Sequence, residues 1–174
     1  MVRAVEVGVS RTPDGGLEFF YRLSGDMARL LIPSPHAGDR SDGLWEHTCF
    51  EAFITVGDDT AYREFNFSPS GQWAAYVFSD YRQPEENPLL EKVPQISTRL
   101  SAGRLELIAV IASNALPRSA STAQLRIGLS AVVESTDTID GNRSYWALHH
   151  PAGRPDFHHR DAFVLELPAV SHSV

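Results

Sequence analysis

A single cysteine, Cys49, in 174 residues excludes an internal disulfide framework and any zinc site built from several thiolates. Its strand-like setting beside Phe50 suits a half-buried thiol rather than a nucleophile. No segment approaches the ~18 uninterrupted apolar residues of a membrane-spanning helix, so no membrane partner is expected. The N-terminal MVRAVEVGVSRTPDGG alternates instead of forming the apolar core of a secretory leader, which makes the cytoplasm the default location and disfavours export. Basic runs are missing too. Fifteen Lys and Arg stand against 22 Asp and Glu for a formal charge of -7, so the chain lacks the means to neutralise successive phosphates, and nucleic acid is not an expected partner. The absence of a G-x-S-x-G elbow, a P-loop and a G-x-G-x-x-G turn removes the standard plans for a serine hydrolase, a nucleotide hydrolase and a dinucleotide enzyme. There is no internal repeat, no low-complexity tract and no long stretch of 3.6-residue periodicity.

Short alternating runs separated by turn residues are present instead. Ala4 to Val9 and Leu17 to Leu23 flank Thr12-Pro13-Asp14-Gly15-Gly16, a hairpin signal. Ala28 to Ile32 reads as a short strand ended by Pro33 and Pro35, and the polar loop His36 to Gly43 leads into Trp45. Leu44 to Val56, Arg63 to Phe67 and Trp73 to Phe78 form a meander. Arg82 to Pro94 reads as an exposed connection. Gln95 to Leu100 and Arg104 to Ala112 make a second hairpin, a Ser/Ala-rich segment with room for one helical turn precedes Gln124 to Glu134, and Ser144 to His150 and Ala162 to Leu167 complete the set. About ten short strands spaced roughly 8–12 residues apart predict an all-β fold, an antiparallel β-sandwich or jelly-roll of the immunoglobulin-like kind. The 174 residues, 43% of them hydrophobic, suit one domain over 1–174.

The stretch from Leu44 to Asp80 carries the functional signal. Residues two apart in a strand share one side of a sheet, so Cys49, Glu51 and Phe53 line up beside Tyr62, Glu64 and Asn66, while Phe65 and Phe67 point the other way. A face bearing Glu51, Glu64, Asn66 and Trp73 offers hydrogen-bonding groups and a flat apolar ring, the combination that holds a polyhydroxylated ring. An ordinary amphipathic sheet with one wet side accounts for the same pattern. Trp45, following a polar loop, is expected at the mouth of the face; of Tyr145 and Trp146, which face opposite sides, only one can share it.

Four of the seven histidines lie between Tyr145 and Asp161. His149/His150 and His158/His159 are adjacent pairs, and neighbours on an extended chain point apart, whereas zinc needs three or four converging ligands. No metal and no cofactor is therefore expected, and Asp156 is read as a loop residue that bonds backbone amides. Glu51 with Glu64 could supply the two carboxyls of a glycosidase, but acids on neighbouring strands are common by chance, and binding is favoured over catalysis.

Three blocks carry a resemblance: Trp45 followed by CFEAFITV (Cys49 to Val56), YREFNFSPSGQW (Tyr62 to Trp73) and YWALHHPAGRPDFHHRDAFVLEL (Tyr145 to Leu167). Together they resemble the DOMON-like superfamily, in its branch similar to family-nine carbohydrate-binding modules. There a V-E-x-F strand precedes Y-x-E-F-x-x-x-P-x-G; Glu51, Glu64, Phe65, Pro69 and Gly71 match, Phe50 replaces an aliphatic residue, and His47-Thr48-Cys49 replaces the usual acid before the strand. The resemblance implies a β-sandwich whose concave face binds a sugar between aromatic rings, with acids and amides on the hydroxyls. Carried onto this chain, it points to Trp45, Glu51, Glu64, Asn66, Trp73 and Trp146 and to a small-molecule or glycan ligand. Other members of the superfamily bind haem through Met and His, but Met27 is the only internal methionine. A metal- or haem-binding module is thus the rival reading, and a glycoside-active enzyme the outsider.

Overall fold

Alternation at period two builds the first strand pair. In β2 (Leu17–Gly25) the odd positions Leu17, Phe19, Tyr21 and Leu23 are all buried, while the even positions take the outer side against β1 (Val2–Arg11). The turn between them depends on Gly16, where a Cβ would come within 2.3 Å of the Ile111 carbonyl oxygen. β8 (Arg104–Ile111) pairs with β2 and returns from β7 (Gln95–Ser101). The order in this sheet is β1-β2-β8-β7.

The chain is described by a computed structural model over residues 2–86, 90–136, 143–151 and 153–170. Among these residues eleven strands form two antiparallel sheets, and the helical pieces are single 3-10 turns. The all-β sandwich expected from the strand spacing is the fold of the protein. Its larger sheet contains β3 (Cys49–Val56), β4 (Tyr62–Phe67), β5 (Trp73–Asp80), β6 (Gln83–Pro84), β9 (Leu125–Glu134), β10 (Arg143–Ala147) and β11 (Leu165–Leu167). They run β10-β9-β3-β4-β5-β6, with β11 on the same edge of β9 as β10, at Leu165↔Ile127.

The core fills the space between the sheets. Phe50, Ala52 and Ile54 of β3, Phe65 and Phe67 of β4, and Ile127, Leu129, Ala131 and Val133 of β9 meet the inward residues of β2 and β8. Tyr21 reaches across and donates its hydroxyl hydrogen to the Glu51 carbonyl oxygen at 2.8 Å, so its polar end is satisfied within the core. Met27 also lies in this core.

Three expected elements differ. The segment Ala28 to Ile32 is not a strand: Asp26 caps a 3-10 turn at Met27–Arg29, and Leu30 makes one isolated bridge to Ser135. Leu44–Glu46 is a 3-10 turn rather than the start of β3, because Gly43 at φ 76 turns the chain out of extended geometry. The connection after β5 contributes the short edge strand β6.

Candidate functional site

The outer face of the larger sheet is not a wet surface. β3, β4 and β9 are buried on both sides, a pattern associated with sheets covered on both faces. The cover is the chain after β10, together with the loops preceding β3 and following β5. Phe163 stacks on Phe53 with ring centroids 5.9 Å apart and lies edge-on to Tyr62 at 5.6 Å. Gly128 permits this approach, since a Cβ there would fall 2.8 Å from the Phe163 ring.

Hydrogen bonds fasten the covering loops. Asp156 accepts from the Tyr81 hydroxyl at 2.5 Å, from Arg82 Nη2 at 2.9 Å and from the His158 amide at 3.2 Å. The loop role expected of Asp156 is therefore observed, with a long-range ion pair added. On the opposite wall Arg40 grips Asp42 through two guanidinium nitrogens, and Asp42 accepts from the Tyr76 hydroxyl at 2.6 Å. Trp45 stands edge-on to Tyr76 at 5.9 Å.

Between these walls lies a cavity of about 430 Å³, within the roughly 300–1,000 Å³ of small-molecule sites. Trp45, Tyr76, Tyr145 and Phe157 supply aromatic wall, with Phe53 and Phe78 beneath them. Glu51 and Glu64 reach it from adjacent strands, 3% and 5% exposed. Ser130 donates to Glu51 Oε2 at 3.0 Å, and Asn66 Nδ2 donates to Glu64 Oε1 at 2.8 Å. The Tyr62 hydroxyl accepts from the Arg82 amide at 3.2 Å and lies 2.8 Å from His158 Nδ1. The other ring nitrogen of His158, Nε2, lies 3.7 Å from Glu64 Oε2.

Electrostatics follow from burial. Desolvation, with the Glu64 charge adding to it and the Ser130 bond opposing, pushes the Glu51 carboxyl up to about 8. Desolvation pushes Glu64 up to about 7, against the Asn66 bond and the Arg82 guanidinium. Burial first, and Arg82 second, hold His158 down to about 4. Near neutral pH the imidazole is uncharged and the two acids retain protons between them.

Four of the six sequence-derived site residues come together. Trp45, Glu51 and Glu64 line the cavity, and Asn66, fully buried, holds Glu64 from behind. Trp73 and Trp146 require correction. Trp73 pairs with Phe67 and so shares its inward face, 6% exposed within the inter-sheet core. Trp146 pairs with Ala131 and packs on the same core. Tyr76, paired with Glu64, and Tyr145, next to Trp146, line the cavity instead. His158 was hidden in sequence, because a loop fold rather than strand parity delivers it. Among the described residues no three His, Cys, Asp or Glu side chains gather as metal ligands. Met27 and His158 lie on opposite sides of the larger sheet, so they do not form a Met/His pair for haem.

Fold and cavity define a β-sandwich with a ligand-sized, acid-floored hollow on the outer side of its larger sheet. No family model and no curated protein matches the chain. In structure it is similar to a candidate carbohydrate-binding protein from Bacteroides uniformis, at 16% identity and a TM-score of 0.58, over 92% of this chain and 76% of that one. At that identity the likeness concerns the fold.

Proposed function

We propose that the chain is a non-catalytic binding domain for a carbohydrate or related polar small molecule. The observation that carries this reading is the pair of buried carboxyls, Glu51 and Glu64, on the floor of a ring-walled cavity of about 430 Å³. Rings cover the apolar faces of a sugar, and a polar floor exchanges hydrogen bonds with its hydroxyls. The resemblance to family-nine carbohydrate-binding modules and the fold shared with the Bacteroides uniformis protein support the same ligand class. Both carboxyls project from one sheet face, on diagonal positions of adjacent strands, and an absence of turnover is what separates the binding reading from glycoside hydrolysis by such a pair.

Glycan screening followed by calorimetric titration tests the proposal. A sugar should bind to the wild type without turnover, and Trp45→Ala should weaken it by about 1 kcal/mol or more, the scale of a single ring contact. Hydrolysis of a bound glycoside, lost in Glu51→Gln or Glu64→Gln, would replace the binding reading with an enzymatic one.

A further inference from the structure

Burying two carboxyls in an aromatic cavity is costly unless a positive charge or enough hydrogen bonds meet them. Here one oxygen of each is satisfied, by Ser130 and by Asn66. Oε1 of Glu51 and Oε2 of Glu64 take no hydrogen bond among the described residues, although both side chains line the cavity. Among the described residues no cationic side chain is bonded to them: the His158 imidazole is 3.7 Å from Glu64 and uncharged near neutrality, and the Arg82 charge acts on Glu64 without a hydrogen bond to it. Arg82 is engaged by Asp156 and the Tyr81 hydroxyl.

The geometry points to a ligand that carries a cationic amine, with its ammonium seated at the free oxygens of Glu51 and Glu64. This inference rests on the sugar-binding reading of the same cavity and narrows it to amine-bearing sugars. An ammonium has three donors and a full charge, so it satisfies both oxygens at once; a neutral hydroxyl has one donor and leaves the charge deficit in place. The walls suit it as well. Trp45, Tyr76, Tyr145 and Phe157 wall the space around the acids, and ring faces attract a desolvated cation. Among the described residues the other charged or titratable groups around the cavity do not fill the role. Cys49 on β3 and Tyr62 and Tyr76 on the neighbouring strands are held neutral by burial. Asp156 offsets Arg82, and Arg143, which also lines the cavity, is exposed to solvent.

Calorimetry with 6-amino-6-deoxyglucose and glucosamine, against glucose and N-acetylglucosamine, tests this at about pH 6 and about pH 7.5 in buffers of different ionisation enthalpy. At least one amine should bind about tenfold tighter than its neutral counterpart at the higher pH and displace a proton from the acid pair. Its advantage should shrink toward pH 6, where protons compete for the same oxygens. Glu51→Gln and Glu64→Gln should erase the preference for amine over neutral sugar; proton release in the wild type tests the idea even if either variant folds poorly. Equal binding of amine and neutral sugars without proton release overturns the inference and leaves the sugar reading standing. Binding of cyclohexylamine with proton release, when no sugar binds, overturns the sugar reading and supports the ammonium site. Failure of every amine to bind overturns the inference.

Discussion

Glu51→Gln should remove much of the stability that the wild-type protein loses as pH rises through neutrality. Folding raises the Glu51 carboxyl from 4.5 to about 8 and Glu64 from 4.5 to about 7. Between those limits the folded state holds more protons than the unfolded state, so stability falls with rising pH. The contribution is complete below pH 4.5 and is gone once pH has passed about 8. At ~1.4 kcal/mol per pH unit for one proton, Glu51 accounts for on the order of 5 kcal/mol across that window. His158 works in the opposite direction. Folding lowers it from 6.5 to about 4, so its contribution is present above pH 6.5 and is lost as pH falls through about 4. The two effects oppose each other in mild acid, which leaves the range from about pH 6.5 to 8 as the clean test. Urea unfolding there should show the wild type losing about 1–2 kcal/mol per pH unit. The Gln variant should lose less than half as much, because its side-chain oxygen still accepts from Ser130 while the titrating group is gone. A wild-type curve that is flat or rises with pH, or a variant with the wild-type slope, would refute the assignment of buried, proton-holding acids.

Trp73→Ala should cost about 3–5 kcal/mol in denaturant melts, as a large ring is lost from the inter-sheet core, whereas Trp45→Ala, at a site 41% exposed, should change stability by less than about 1 kcal/mol. Similar melts for the two variants would undo the division of rings between core and cavity. Gly128→Ala should destabilise by about 1–3 kcal/mol, since its Cβ would press on the Phe163 ring; near-UV circular dichroism should show the displaced aromatic cover. Tyr62→Phe strips the hydroxyl shared by the Arg82 amide and His158 and should cost about 1–2 kcal/mol in denaturant melts.

Why the floor of the cavity was legible in sequence and its walls were not is a matter of how far each residue's orientation is determined. Glu64 and Asn66 lie in one strand with Phe65 and Phe67, and a period of two separates them onto opposite faces whatever the strand pairs with. Glu51 joins them because β3 and β4 are close neighbours in the chain and pair as Glu51↔Asn66. Parity does not carry through a turn in the same way. Trp73 follows Ser68 to Gln72, and the bond from the Ser68 amide to the Gln72 carbonyl sets Trp73 directly opposite Phe67. One residue more or less in that turn would have put Trp73 on the cavity face in place of Ala74. Tyr145 and Trp146 present the same problem at longer range: their alternation is visible, but its phase is set by pairing with Val132 and Ala131. His158 is more remote still, since it reaches Tyr62, 96 residues away in sequence, on a loop with no periodicity to read. The polar groups that any ligand of this cavity must satisfy are therefore fixed by local alternation. The rings and loops that decide its shape depend on turn length and long-range register, so changes of ligand shape can arise from turns and covering loops while the two acids stay in place.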